Sequence, residues 1–351
     1  VAGLYRKNPF HSFEHASHVT MSVIKLMTRI VAPSDLDLGS TAREKTIHEG
    51  DENAADKGRL QKEASSLHDH TYGITSDPLT QFACAFTALI HDVDHTGVPN
   101  QQLISENPRL AAIYKNRSVA EQNSLSLSWD LLMDERFENL RNTIFSTKAE
   151  LCRFRELVVN AVMATDIVDK DLKVLRNERW NKAFETTDNS SNSNNNDVGN
   201  VTADSSRKGR SVSAKRATRD GVNRKATIVI EHLIQASDVA HTMQHWHVYR
   251  KWNERFFQEC YASYLAGRAE QNPLDNWYKG EIGFFDYYII PLAKKLKECG
   301  VFGKSSDEYL NYALANRNEW ERRGKEVIAE MAAKVVKTQS DDAKGDDGPS
   351  R

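Results

Sequence analysis

Ten residues constrain this chain more than any others: Ala88-Leu89-Ile90-His91-Asp92-Val93-Asp94-His95-Thr96-Gly97. The run leading into them, Phe82 to Ile90, is almost wholly apolar. Phe82, Phe86, Leu89, Ile90 and Val93 recur at helical spacing, so it reads as a buried helix. Thr96-Gly97 supplies the predicted helix stop. Imidazoles and carboxylates crowded at the end of a buried helix cost free energy unless something compensates them, and a divalent metal is the usual compensation. The His91-Asp92 pair offers one nitrogen and one oxygen from a single turn, and an aspartate can bridge two ions. The competing reading is a capped helix end with solvated charges. Four polar residues in five, with matching groups elsewhere in the chain, weigh against it.

The matching groups fall on other predicted helices. Asn8-Pro9 is a plausible helix start, since proline is tolerated in the first turn. Val19, Val23, Leu26, Met27, Ile30 and Val31 continue it as an apolar stripe. His11 and His15 stand four apart at its front, so one helical face can present both, and His18 follows. Ser118 with Glu121 three residues later is a capping-box pattern that opens another helix. Residues 147–170 read as an amphipathic helix with Asp166 near its end. Residues 228–265 read as one or two helices, with Asp238 embedded near Ile230, Leu233, Ile234 and Val239. Residues 281–298 and 306–336 add further amphipathic helices, and no segment reads convincingly as a strand. The fold class is all-α.

Polar stretches interrupt this pattern. Residues 33–76 are charged and poor in apolar side chains, and read as a long surface loop in which a solvated setting for His68 and His70 is favoured over metal binding by them. Residues 185–227 are rich in Ser and Asn, then in basic residues, and read as a disordered insertion. Within it, Arg210-Ser211, Lys215-Arg216-Ala217-Thr218 and Arg224-Lys225-Ala226-Thr227 resemble sites for basophilic kinases. Lys337 to Arg351 reads as a disordered tail, which leaves one domain over residues 1–336. These polar stretches explain a hydrophobic content of only 39%. A net charge of −2 provides no field that would attract nucleic acid. The cysteines Cys84, Cys152, Cys260 and Cys299 have no paired spacing, which suits a reduced, intracellular and cytoplasmic protein. No apolar run approaches membrane-spanning length. The chain begins at Val1, just before a dense motif, and reads as a piece of a larger protein with a regulatory or membrane-tethering domain upstream.

Collected, the candidates are His11, His15, His91, Asp92, Asp94, His95, Glu121, Asp166 and Asp238. A mixed nitrogen and oxygen set suits zinc or another transition metal, with a harder magnesium or manganese sharing one carboxylate. Paired ions clamp a bridging hydroxide, and their commonest substrate is a phosphate ester.

Several blocks now align with one known pattern. Asn8 to Ala16 is similar to Asn-Pro-Tyr-His-Asn-x-x-His-Ala, and His91 to Asn100 to His-Asp-x-Asp-His-x-Gly-x-x-Asn. Leu110 to Glu121, Ala164-Thr165-Asp166, Ser237-Asp238, Tyr249-Arg250-x-Trp252 and Gly283-Phe284-Phe285-Asp286-Tyr287 follow in the matching order. With these blocks the chain resembles the class I 3′,5′-cyclic nucleotide phosphodiesterases, from residue 5 to about 325. The resemblance implies a compact multi-helix metal phosphohydrolase domain that turns cyclic GMP or cyclic AMP into nucleoside 5′-monophosphates in signalling. It implies that His15, His91, Asp92 and Asp238 hold a zinc ion, and that Asp92 also bridges to magnesium or manganese. His95, Glu121 and Asp166 would orient the water around that second ion. His11 would protonate the departing O3′ after a bridging hydroxide attacks phosphorus, and Phe284 would stack on the purine.

Departures from the family pattern bear on the base. Glu281 stands where the family has a glutamine that reads the purine edge. A carboxylate only accepts hydrogen bonds, and guanine offers two adjacent donors where adenine offers one beside an acceptor. The substitution leans toward guanine, or lowers nucleotide selectivity and affinity altogether. His18, His241 and Asn123-Ser124 depart at further positions without removing a metal ligand. A different metal phosphohydrolase is disfavoured by the block Gly283–Tyr287, and a catalytically dead binding module by the retention of His11 with the complete ligand set.

Overall fold

Side-chain caps and prolines mark the starts of several helices of this protein. In the computed structural model, residues 1–30, 71, 73–184, 224–302 and 307–345 are described. Ser12 caps α1 (Phe13–Thr28) by accepting from the His15 N–H at 3.4 Å. The helix starts later than Asn8-Pro9 suggested, and in the bend before it the backbone N–H groups of Phe10 and His11 donate to Glu259 Oε2 at 2.9 and 3.0 Å. His11 therefore lies in the bend before α1 and does not share a helical face with His15. Asp77 caps α2 (Pro78–Ile90), accepting from Leu79 N–H at 3.2 Å, with Pro78 in the first turn. This helix ends at Ile90, ahead of the predicted stop at Thr96-Gly97. Tight turns replace it: Val93 N–H donates to Ile90 O and His95 N–H to Asp92 O, each at 3.1 Å. Asp94 then takes a left-handed φ of 62°, held by Arg6 Nε at 2.7 Å and Asn123 Nδ2 at 3.1 Å.

The remaining helices follow in order. They are α3 (Asn100–Glu106), α4 (Pro108–Ile113), α5 (Val119–Met133), α6 (Glu138–Ile144), α7 (Lys148–Met163) and α8 (Lys170–Phe184). After them come α9 (224–238), α10 (Trp246–Leu265), α11 (Pro273–Phe284), α12 (Ile290–Glu298) and α13 (Asp307–Gly345). A 3₁₀ turn at Ala240–Met243 divides α9 from α10, and a π turn at Phe285–Ile289 joins α11 to α12. No strand occurs among the described residues, so the all-α expectation stands.

Helix α2 packs between α1 and α7, which places its C-terminal end in the interior. Val19, Val23 and Leu26 of α1 are buried against this core. Phe154 of α7 is ringed by Phe82, Phe86, Trp129 and Phe145 at centroid distances of 5.9, 5.7, 6.3 and 5.9 Å. In the C-terminal half, α13 packs on α10, α11, α12 and the 240–243 turn. Trp320 is fully buried there and donates its indole N–H to Tyr278 O at 3.2 Å. A Cβ on Gly324 would come within 2.9 Å of the Trp320 ring, so that position needs glycine.

Some boundaries differ from the sequence expectation. Ser118 makes no capping bond; its φ is 38°, and its hydroxyl turns inward to Asp166. Thr71 and Ile74 are buried although they fall in the predicted surface loop. Residues 224–227 belong to α9, and α13 continues to Gly345 through the start of the predicted tail. The rest of the first insertion with His68 and His70, residues 185–223, and the final six residues lie outside the described residues.

Candidate metal centre and active site

Helices α1, α2 and α9 bring one set of the sequence candidates together. His15 comes from the first turn of α1, His91 and Asp92 from the end of α2, and Asp238 from the end of α9. His15 Nε2 lies 3.0 Å from Asp238 Oδ1 and 3.7 Å from Asp92 Oδ2. His91 Nε2 lies 3.1 Å from Asp92 Oδ2 and 3.2 Å from Asp238 Oδ1. Ligand atoms of His15, His91 and Asp238 all fall within 4.8 Å of one another. The other nitrogen of His91, Nδ1, is 3.0 Å from Ala88 O; as a donor there it leaves Nε2 with its lone pair facing inward.

The donor set fits a metal ion. His91 Nε2 and Asp92 Oδ2 are buried yet have no hydrogen bond of acceptable geometry. Burial disfavours protonated His91, but Asp92 and Asp238 outweigh it and hold its proton affinity well above the ordinary imidazole value. Burial likewise opposes ionised Asp92 and Asp238, yet His91 drives both carboxyls well down. Two carboxylates with side chains only 13% and 20% exposed thus demand positive charge, and a divalent cation meets that demand without protonating either imidazole.

Asn100 and Ser118 assemble a second group. Asn100 Nδ2 donates to Glu121 Oε2 at 2.9 Å and reaches Asp166 Oδ2 at 3.5 Å. Ser118 Oγ donates to Asp166 Oδ2 at 2.7 Å, and the N–H groups of Val168 and Asp169 donate to its Oδ1 at 3.2 and 3.1 Å. Burial, reinforced by the neighbouring Asp166, pushes Glu121 up to about 7. His95 has its ring contact elsewhere.

His95 instead stacks on His11, with ring centroids 3.7 Å apart and planes 28° from parallel. Glu259, from α10, accepts at one oxygen from the backbone N–H groups of Phe10 and His11 and pairs its other oxygen with His11 Nδ1. Burial works against a charged His11, but Asp92 and Glu259 outweigh it and raise its proton affinity. Burial together with the charge of His11 pushes His95 down to about 3, so its ring stays neutral. His11, His95 and Glu259 also lie within ligand distance of one another. Stacked imidazoles, however, direct their in-plane lone pairs side by side rather than toward a common point. The trio is better suited to holding a proton on His11 than to holding an ion. Sequence reading missed Glu259; its signal was a carboxylate set among Phe256, Phe257, Cys260 and Tyr261.

The base-reading candidates sit on α11. Phe284 stacks on Tyr288 at 5.4 Å and 16°. Glu281 is buried and accepts from the Tyr249 hydroxyl at 2.6 Å.

An all-helical domain carrying a buried His/Asp cluster, a shielded second carboxylate group and a carboxylate-backed histidine defines a metal-phosphohydrolase type of architecture. The family described as 3′5′-cyclic nucleotide phosphodiesterase matches residues 10–305, and this chain belongs to it. Two curated relatives are both named 3′,5′-cyclic-AMP phosphodiesterase 4C. The Mus musculus protein is 29% identical over 61% of this chain and 28% of its own length. The Rattus norvegicus protein is 28% identical over 61% of this chain and 36% of its own length. The chain thus matches about a third or less of each. Among solved structures, the phosphodiesterase domain of the RhoPDE fusion protein from the choanoflagellate Salpingoeca rosetta superposes with a TM-score of 0.59. It is 19% identical and covers 95% of this chain and 82% of that one, a likeness of fold. No helix among the described residues is long and apolar enough to cross a membrane.

Proposed function

We propose that this chain hydrolyses 3′,5′-cyclic nucleotides to nucleoside 5′-monophosphates with the help of two divalent metal ions. The observation that carries the reading is the convergence of His15, His91 and Asp238 within 4.8 Å, with Asp92 beside them, next to a carboxylate-backed His11. His15, His91, Asp92 and Asp238 would hold the first ion, zinc by the chemistry of its donors. Asp92 would also help to hold a second ion, magnesium or manganese, with Glu121 and Asp166 as the further carboxylates that would orient its waters. Bound there, the ions neutralise phosphate charge and lower the pKa of water to supply a nucleophile at neutral pH.

The chain's own residues do the rest. His11 holds a proton that Glu259 and Asp92 stabilise, and gives it to O3′ as the ester bond breaks. Glu259 fixes the ring of His11 through Nδ1 and so leaves Nε2 to face the leaving oxygen. Neutral His95, stacked flat against His11, adds no competing charge. Phe284 supplies an aromatic face for the purine, and Glu281 lies one turn before it on α11. The test is His11→Ala with metal analysis. Zinc content should stay at the parent level while turnover falls by roughly 10²–10⁴-fold, the scale of lost general-acid catalysis. Loss of zinc would make His11 a ligand and remove it from the acid role.

A further inference from the structure

The loop that leaves the His/Asp cluster is held through its carbonyl oxygens. Asn8 Nδ2 donates to His95 O at 2.7 Å, Arg268 Nη1 to Thr96 O at 2.9 Å, and Ser263 Oγ to Gly97 O at 3.0 Å. Ser263 belongs to the last turn of α10, and Arg268 follows the end of that helix. Gly267 takes a left-handed φ of 70° there, its N–H donating to Tyr264 O and that of Arg268 to Ser263 O, each at 2.9 Å. This closure of the helix end fixes the point from which the Arg268 side chain sets out. A guanidinium presents its donors in a rigid planar fork. Nε and Nη2 of Arg268 donate to the two carboxylate oxygens of Glu106, the last residue of α3, at 2.8 and 2.7 Å. Nη1 is left for Thr96. One side chain thus bridges residues 96 and 106, the loop at one end and the end of α3 at the other.

What lies at and inside that span serves both groups of the site. Gly97 N–H donates to His95 Nδ1 at 3.1 Å, so the proton of the neutral ring sits on Nε2. Gly97 also packs against Glu259, the partner of His11. Asn100 opens α3; its Nδ2 donates to Glu121 at 2.9 Å and its Oδ1 accepts from Ala120 N–H at 2.9 Å. A shift of the segment would therefore move His95 against His11 and Asn100 against Glu121 together.

We propose that Arg268 is a positioning residue for turnover: by bridging Thr96 O and the Glu106 carboxylate it holds residues 95–100 so that His95 stays stacked on His11 and Asn100 stays on Glu121. It acts through these residues and does not itself meet the substrate. The proposal rests on the phosphodiesterase reading of the site. The competing role is a plain surface ion pair. The side chains of Arg268 and Glu106 are 33% and 28% exposed, and pairs so open to water contribute little to folding stability. The bond to Thr96 O is what distinguishes the two roles, because an ion pair alone would leave the loop to Asn8 and Ser263.

The experiment compares the metal-loaded parent with Arg268→Met and Arg268→Lys. It measures kcat and KM for cyclic AMP and cyclic GMP, zinc content, and amide hydrogen exchange of the peptide that contains Gly97. Lysine keeps the charge and the aliphatic stem, so Arg268→Lys preserves the fold, but a single ammonium does not reproduce the fork. Both variants should lower kcat about tenfold or more, the scale of a small displacement of reacting groups. KM should stay within about twofold, since the lost contact is not one to the bound substrate. Zinc should remain at the parent level, and the Gly97 peptide should exchange about tenfold faster as the loop opens more often. Parent kcat in both variants, or parent exchange at Gly97, would overturn the proposal and leave the phosphodiesterase reading intact. Zinc lost together with kcat would make Arg268 a support of the whole His/Asp cluster and overturn it as well. A parent that turns over neither cyclic nucleotide would overturn the phosphodiesterase reading and the role of Arg268 with it.

Discussion

Replacing Glu259 by glutamine isolates the charge behind His11. The side chain keeps its size, and its carbonyl oxygen can still accept from Phe10 N–H and His11 N–H, now 2.9 and 3.0 Å from Oε2. What disappears is the negative partner of His11 Nδ1, an ion pair whose side chains are only 20% and 5% exposed. A hydrogen bond to a charged group at such a buried site is worth about 1.5–3 kcal/mol. One pKa unit corresponds to about 1.4 kcal/mol, so the imidazolium should lose roughly one to two units of proton affinity. The sign follows from the role. His11 must carry a proton to act as an acid, so turnover declines as pH rises through its pKa. In Glu259→Gln that decline should begin roughly one to two pH units lower, with turnover near neutrality about 10–10²-fold down and zinc content unchanged. The assay is kcat against pH on metal-saturated protein, parent and variant side by side. An alkaline limb at the same pH in both proteins would refute the coupling of Glu259 to the catalytic proton.

Other perturbations read out other contacts. Asp238→Ala should abolish tight zinc binding measured by metal analysis, because it removes an oxygen that both His15 and His91 face; an unchanged zinc stoichiometry contradicts the site. Gly97→Ala forces a Cβ onto a residue at φ 76° and brings it 3.4 Å from Glu259 Cγ. Urea unfolding should show a loss of about 1–2 kcal/mol, with a fall in turnover as Glu259 is displaced; parent values for both would show that the loop yields without strain. Trp320→Ala should cost roughly 3–5 kcal/mol in the same unfolding experiment, since the ring is fully buried among Tyr249, Trp246 and Gly324.

The His/Asp cluster was legible because its members carry chemistry that apolar helices do not otherwise tolerate. His91, Asp92 and Asp238 each interrupt an apolar run, and a buried charge leaves a mark in sequence. The helices themselves were legible from period and from proline and Asp caps such as Asp77-Pro78. Local patterns failed where distant partners prevailed. The bend before α1 has its Phe10 and His11 amides donating to Glu259, from α10, a contact between residues some 250 positions apart. Ser118 gave up its cap for Asp166 in the same way. The stacking of His95 on His11 is a ring contact that local spacing does not reveal. Thr71 and Ile74 read as loop from composition, and burial of two side chains leaves little trace in a polar stretch.

The central claim is metal-dependent opening of a cyclic phosphodiester at its 3′ oxygen. It is tested most directly by stripping the chain with a chelator, restoring zinc and magnesium, and separating the nucleotide products of cyclic AMP and cyclic GMP by chromatography. The account predicts no product from the stripped protein and nucleoside 5′-monophosphate from the restored one. A metal-loaded chain that produces the 3′-monophosphate, or leaves both cyclic nucleotides intact, would contradict it.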